Sequence, residues 1–119
     1  MAVTNRVIVD GGFKTANGIA QCSTEGIGHC NIAFSKWQPW GNYEVLETDY
    51  KTYSVVWSCS SFYAFRWEWA WIIARDPFFD SDKVLDIVTR QTSLVLEDFV
   101  KDNQTNCPDE DVPFAKVDI

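Results

Sequence analysis

The sequence predicts an all-β chain, a small antiparallel sheet folded on itself as a sandwich or barrel, with one helix near the C-terminal end. Three observations point there. Aromatic residues make up 15% of the 119 residues, a share that favours sheet over helix. Short β-branched and aromatic runs recur with turn residues between them. In the run WEWAWIIAR, residues 67–75, large side chains fall at alternate positions, the period of a strand with one apolar face.

The elements follow in order. Residues 3–9 (VTNRVIV) form the first expected strand, closed by the turn residues Asp10, Gly11 and Gly12. Residues 13–22 form the second, and the glycines of STEGIGH supply a loop. Residues 30–37 are the third, broken by QPWG. Residues 42–50 and 52–59 are joined by a polar turn near Asp49–Lys51, and residues 66–75 are the sixth. The period then changes. Val84, Ile87, Val88 and Gln91 follow helical spacing within residues 80–94, with Asp80 or Ser81 as cap and Pro77 upstream. Residues 97–104 read as a last short strand. Residues 108–119 read as an acidic, flexible tail.

Composition narrows the function. A net charge of −7 argues against nucleic acid, whose phosphates require clustered Lys and Arg. No apolar run reaches the roughly 18 residues of a spanning helix, and the first residues lack the basic start and long apolar middle of a secretion signal. Four cysteines, Cys22, Cys30, Cys59 and Cys107, fit a disulfide framework with three pairings open. His29 is the single histidine and no CxxC pair exists, so a metal site is not expected. The triplet Asn103-Gln104-Thr105 is a glycosylation sequon, meaningful in a secreted protein.

Alternation places Trp67, Trp69, Trp71, Ile73 and Arg75 on one face of the sixth strand. It groups Tyr53, Val55, Trp57 and Cys59 on the fifth, and Tyr43 and Val45 on the fourth. These ring-rich faces are expected to share one interior. Two readings stay open: the rings fill a small core, or they line a hollow that admits an apolar guest.

TDYKTY followed by SVVWSC, then EWAWIIARDP, a helix and NQTNCP, resembles the signature regions of the lipocalins. The resemblance is to the apolipoprotein D branch, with its bilin-binding and crustacyanin-like members. It implies an up-and-down antiparallel β-barrel with one α-helix packed outside. The family's opening Gly-x-Trp region and its second strand have no counterpart. About six to seven strands are therefore expected, in a lipocalin domain over residues 1–107 that is incomplete at its N-terminus and leaves two open sheet edges.

The resemblance also implies site residues. Asn5, Tyr43 and Trp71 match cavity-lining positions, and strand parity adds Val45, Val55, Trp57, Trp69 and Ile73. Asn5 would give one directed hydrogen bond within apolar walls, or else is a strand-end amide bonded to backbone. Trp37 and Trp40 fall in a loop at the barrel mouth, where they would touch ligand, a partner subunit or a lipoprotein surface, or pack on a neighbouring loop. Thr48, Asp49 and Tyr50 belong to a structural turn. The arginine matching Arg75 stacks on a tryptophan in relatives and shuts one end of the barrel. Cys59 and Cys107 match cysteines whose partners lie in the region without a counterpart. Cys22 and Cys30 are additional, flank one hairpin loop, and can pair if their Cα atoms approach within about 7 Å.

The implied function is binding and transport or storage of a small hydrophobic ligand: a bilin, carotenoid, sterol or fatty acid. The alternative is an oligomeric pigment-protein or interaction subunit, homo- or hetero-oligomeric, that uses its open edges and mouth tryptophans. Catalysis is not expected and no cofactor is required, although a bilin or carotenoid chromophore would be a natural guest. The resemblance implies a secreted protein.

Overall fold

A computed structural model describes residues 1–24, 26–105 and 107; the expected tail lies outside them. Six strands form one antiparallel sheet in sequence order, β1 (Ala2–Val9), β2 (Gly12–Cys22), β3 (His29–Ala33), β4 (Gly41–Thr48), β5 (Tyr53–Phe62) and β6 (Phe65–Ala74). The sheet curls into a half-barrel. β1 and β6 each pair with a single neighbour, so the sheet keeps two edges among the described residues.

The turns explain the meander. Asp10 and Gly11 both have positive φ, the conformation of a two-residue hairpin turn whose twist suits the flanking strands. Tyr63 and Ala64 make the equally short turn from β5 to β6, with Phe62 facing Phe65. The β4–β5 turn is held by one carboxylate. Asp49 accepts from the backbone N–H groups of Lys51, Thr52 and Tyr53 and from the Thr52 hydroxyl. These donors hold the Asp49 carboxyl well below the usual range, the Thr52 hydroxyl first among them. The Thr48 hydroxyl donates to Tyr53 O at 2.6 Å and accepts from Tyr50 N–H. Arg75 Nε donates to Lys51 O at 2.7 Å and ties the end of β6 to this turn.

After β6 come a 3₁₀ turn (Ser81–Lys83) and one helix, α1 (Leu85–Gln91). Asp80 caps the 3₁₀ turn by accepting from Asp82 N–H. The expected long helix is thus divided, but its apolar stripe is the one foreseen: Val84, Ile87 and Val88 are buried, and Gln91 is exposed. They pack with Val55, and Leu46, Tyr53, Ala70, Ile72, Phe79, Leu94 and Phe99 close around them. The strand expected over 97–104 does not form. A 3₁₀ turn at Leu96–Asp98 stands there instead, and the described residues beyond it form no helix or strand.

The cysteine framework is partly realised. Cys22 and Cys30 are directly opposed across β2 and β3 and form a disulfide, with Cα atoms 4.0 Å apart. Cys59 and Cys107 are free thiols.

Candidate functional site

Strand register decides which side chains share a face. Across β5 and β6, Ser60 opposes Trp67, Ser58 opposes Trp69, Val56 opposes Trp71, and Ser54 opposes Ile73. Val56 then opposes Val45 of β4, and Tyr43, two residues earlier, opposes Cys30 of β3. Cys30 opposes Cys22 of β2, and Ala16, on the same parity, opposes Asn5 of β1. One continuous face therefore carries Asn5, Tyr43, Val45, Trp69, Trp71 and Ile73, together with Trp67. Helix α1 lies on the other.

Val55 and Trp57 are on that other face, contrary to expectation. Val55 opposes Ile72 and Trp57 opposes Ala70, and Val55 is wholly buried in the cluster with the helix. The reason is the hairpin turn. Because the backbone of residue 62 pairs with that of residue 65, odd residues of β5 pair with even residues of β6, and a one-residue change of register would exchange the faces of the side chains. Parity within each strand was legible, whereas the relation between strands was set by turn length.

Trp57 has a polar task there. Its Nε1 donates to Glu68 Oε1 at 2.8 Å. Glu68 also accepts from Ser93 N–H and, at 2.5 Å, from the Ser93 hydroxyl, while Arg66 Nη2 stands 3.7 Å away. The carboxylate thus joins β5, β6 and the segment after α1. Its side chain is only 10% exposed, and the Ser93 hydroxyl leads the donors that lower its pKa. Sequence reasoning gave Glu68 no role. Its position between two tryptophans, on a strand whose other charged residue is Arg66, was the available signal.

The helix-free face is less covered. Trp67, Trp69, Trp71 and Ile73 are 44–47% exposed, so the enclosed hollow expected from the sequence is an open, curled surface here. Tyr43 is half-buried, which raises the pKa of its hydroxyl. Asn5 is exposed on the outermost strand. A separate depression of about 420 Å³ lies between the β4–β5 turn and the end of β6. Ser54, Ile73 and Arg75 reach it, but none of the β6 tryptophans does. Trp37 and Trp40, between β3 and β4, are 94% and 50% exposed. They stand apart from the strand faces, at the sheet end shared by the β1–β2 and β5–β6 turns.

The remaining chemistry is sparse. His29 Nδ1 lies 2.6 Å from Glu44 Oε1, a carboxylate partner that the sequence did not reveal. The free Cys59 lies instead against the Arg66 guanidinium, whose pKa it raises. Among the described residues no group of three or more His, Cys, Asp and Glu side chains is placed to hold a metal. No described helix is long and apolar enough to cross a membrane.

Comparison with known proteins decides the relationship. No family model matches the chain. Apolipoprotein D of Mus musculus is 32% identical over 82 residues, that of Bos taurus 32% over 82, and that of Macaca fascicularis 33% over 81. The chain is related to the lipocalins. Each match covers 66% of this chain and 43% of the relative, so the matched stretch spans less than half the length of these proteins. The lipocalin relationship agrees with the antiparallel meander and with helix α1 packed on one face of the sheet.

Proposed function

We propose that this chain binds a small hydrophobic ligand on the helix-free face of its sheet, for transport or storage. The observation that carries the reading is the set of three indoles and one isoleucine, aligned along β6 and each left almost half exposed. A contiguous apolar surface of this kind marks a binding site. Covering it with a ligand would release water at about 25 cal/mol per Å² before the costs of association. Asn5 and the Tyr43 hydroxyl would supply directed hydrogen bonds at its margins. The binding unit is residues 1–107, with 108–119 as an appended acidic tail.

The relatives' name and the tryptophan density favour a sterol, a fatty acid, or a bilin or carotenoid pigment. Purification from the native source, an absorption spectrum and mass spectrometry of the extract test this directly. A stoichiometric apolar guest is expected. A protein recovered empty, which also ignores added sterols, fatty acids and pigments, would overturn the reading.

Secretion is part of the same proposal. A disulfide between Cys22 and Cys30 fits an oxidising compartment, and there the Asn103 sequon would meet the glycosylation machinery. Catalysis is not proposed. His29 is engaged by Glu44 and Cys59 lies against Arg66, so thiol and imidazole do not form a pair. A second reading, an oligomeric pigment or interaction subunit, is favoured by the two unpaired edges of the sheet. Sedimentation at several concentrations distinguishes it, since a concentration-independent monomer would exclude it.

A further inference from the structure

Residues 101–105 follow the turn at Leu96–Asp98 without regular structure, and all are exposed. The segment is nevertheless tied down. Phe99 packs on the cluster around α1, and Lys101 Nζ lies 3.1 Å from Asp82. The chain two residues before Asn103 is therefore tied to the elements on the helix-covered side of the sheet. Its Oδ1 accepts two bonds, from Thr105 N–H at 3.0 Å and from the Thr105 hydroxyl at 2.6 Å. Both fall on the carboxamide oxygen, so Nδ2 is not occupied by either.

We infer that Asn103 is an acceptor of N-linked oligosaccharide, presented on the side of the sheet opposite the proposed ligand face. The inference rests on the proposed secretion. The residue after Asn103 is Gln, so the triplet satisfies the acceptor rule. The local geometry suits the chemistry. Transfer makes a bond from Asn103 Nδ2 to C1 of the sugar and breaks the bond from C1 to the pyrophosphate of a lipid-linked oligosaccharide. The pyrophosphate leaves with the electron pair, and the amide proton passes to a base of the transferring enzyme. Negative charge builds on Oδ1 as that proton leaves, where the two Thr105 donors already stand and stabilise it. A bulky, solvated glycan at this position adds no cover to the β6 indoles.

The test is translation of the full chain behind a secretory leader in the presence of microsomes, scored only on the protease-protected fraction. Every molecule counted has then entered the lumen, whether or not it folds. The expected result is one slower-migrating species that an endoglycosidase collapses. Asn103→Gln and Thr105→Ala should both abolish it, and Thr105→Ser, which keeps the hydroxyl, should restore it at least in part. A protected chain of unmodified mass overturns the inference. Intact mass of the native protein separates this result from the secretion reading. An extracellular, disulfide-bonded but unmodified protein would refute the glycan alone, whereas an intracellular protein with four free thiols would refute secretion as well. Loss of ligand affinity on enzymatic removal of the glycan would refute the assignment of opposite faces.

Discussion

Trp57 and Trp71 are equivalent by alternation and opposite by register, so replacing each tests the assignment of faces. Trp71 is 44% exposed on the helix-free side. A tryptophan side chain offers up to about 250 Å², so a ligand covering the exposed part would remove about 110 Å² from water. At about 25 cal/mol per Å² this is worth about 2.5–3 kcal/mol, and Trp71→Ala should raise Kd by as much as about 100-fold. Trp57 contributes nothing to that face. Trp57→Phe keeps most of the ring and removes the donor to Glu68, which costs about 1–2 kcal/mol of stability. Urea unfolding should show that loss, and titration of the folded variant with a fluorescent fatty-acid analogue should show parental affinity. If Trp57→Phe lost affinity as Trp71→Ala does, or if Trp71→Ala bound as tightly as the parent, the face assignment would be wrong.

Further perturbations address the scaffold. Val88 is wholly buried, and Val88→Ala should cost about 2 kcal/mol in chemical denaturation. Gly18→Ala places a methyl 2.8 Å from Ala33 O and from the Phe34 ring, and should destabilise by about 1–3 kcal/mol. Replacing Cys22 and Cys30 by serine opens a loop of sequence separation 8; the loss should be about 2–3 kcal/mol on the chain-entropy model, matched by the parent protein under reducing conditions. The Glu68 carboxyl is depressed by its donors, so its contribution is complete above the ordinary glutamate pKa of about 4.3 and is lost as pH falls through the lower folded value. Glu68→Gln should therefore flatten the acid limb of stability against pH and leave its alkaline limb unchanged.

Much of the fold was legible because local chemistry dictates it. The Asp-Gly turn, the two-residue alternation of β4 to β6 and the Val84–Ile87–Val88 stripe all lie within short windows. The expected strands differ from the observed ones by a few residues at their ends. What was lost depended on relations between segments. The β5–β6 faces needed the count of turn residues, and the shift between Val45 and Glu47 in β4 is a bulge without a local signature. The segment 97–104 has strand-like composition, but Phe99 is drawn to the helix cluster, and tertiary burial overrides propensity there. Of the residues expected at the site, register places Asn5, Tyr43, Val45, Trp69, Trp71 and Ile73 on one face of the sheet and Val55 and Trp57 on the other.

The asymmetry of the sheet is the physical basis of the functional proposal. One face has a helix, and there Val55 and Val88 are wholly buried and the Glu68 carboxylate is satisfied by Trp57 and Ser93. The other buries Val56 as well, yet along β6 it presents three indoles with nearly half of each still exposed. If the indoles existed only to stabilise this sheet, the most favourable place for them would be beneath α1, where burial is complete. The small Val55 occupies that place instead, opposite Ile72, and of the four indoles on β5 and β6 only Trp57 shares its face. Three tryptophans on the uncovered face leave a large apolar surface in water, a configuration that persists where something covers it in use. The β5 serines opposite Trp69 and Trp67, Ser58 and Ser60, and Ser54 opposite Ile73, are small enough to leave this face open to an incoming molecule. A scaffold optimised for packing would have filled those positions.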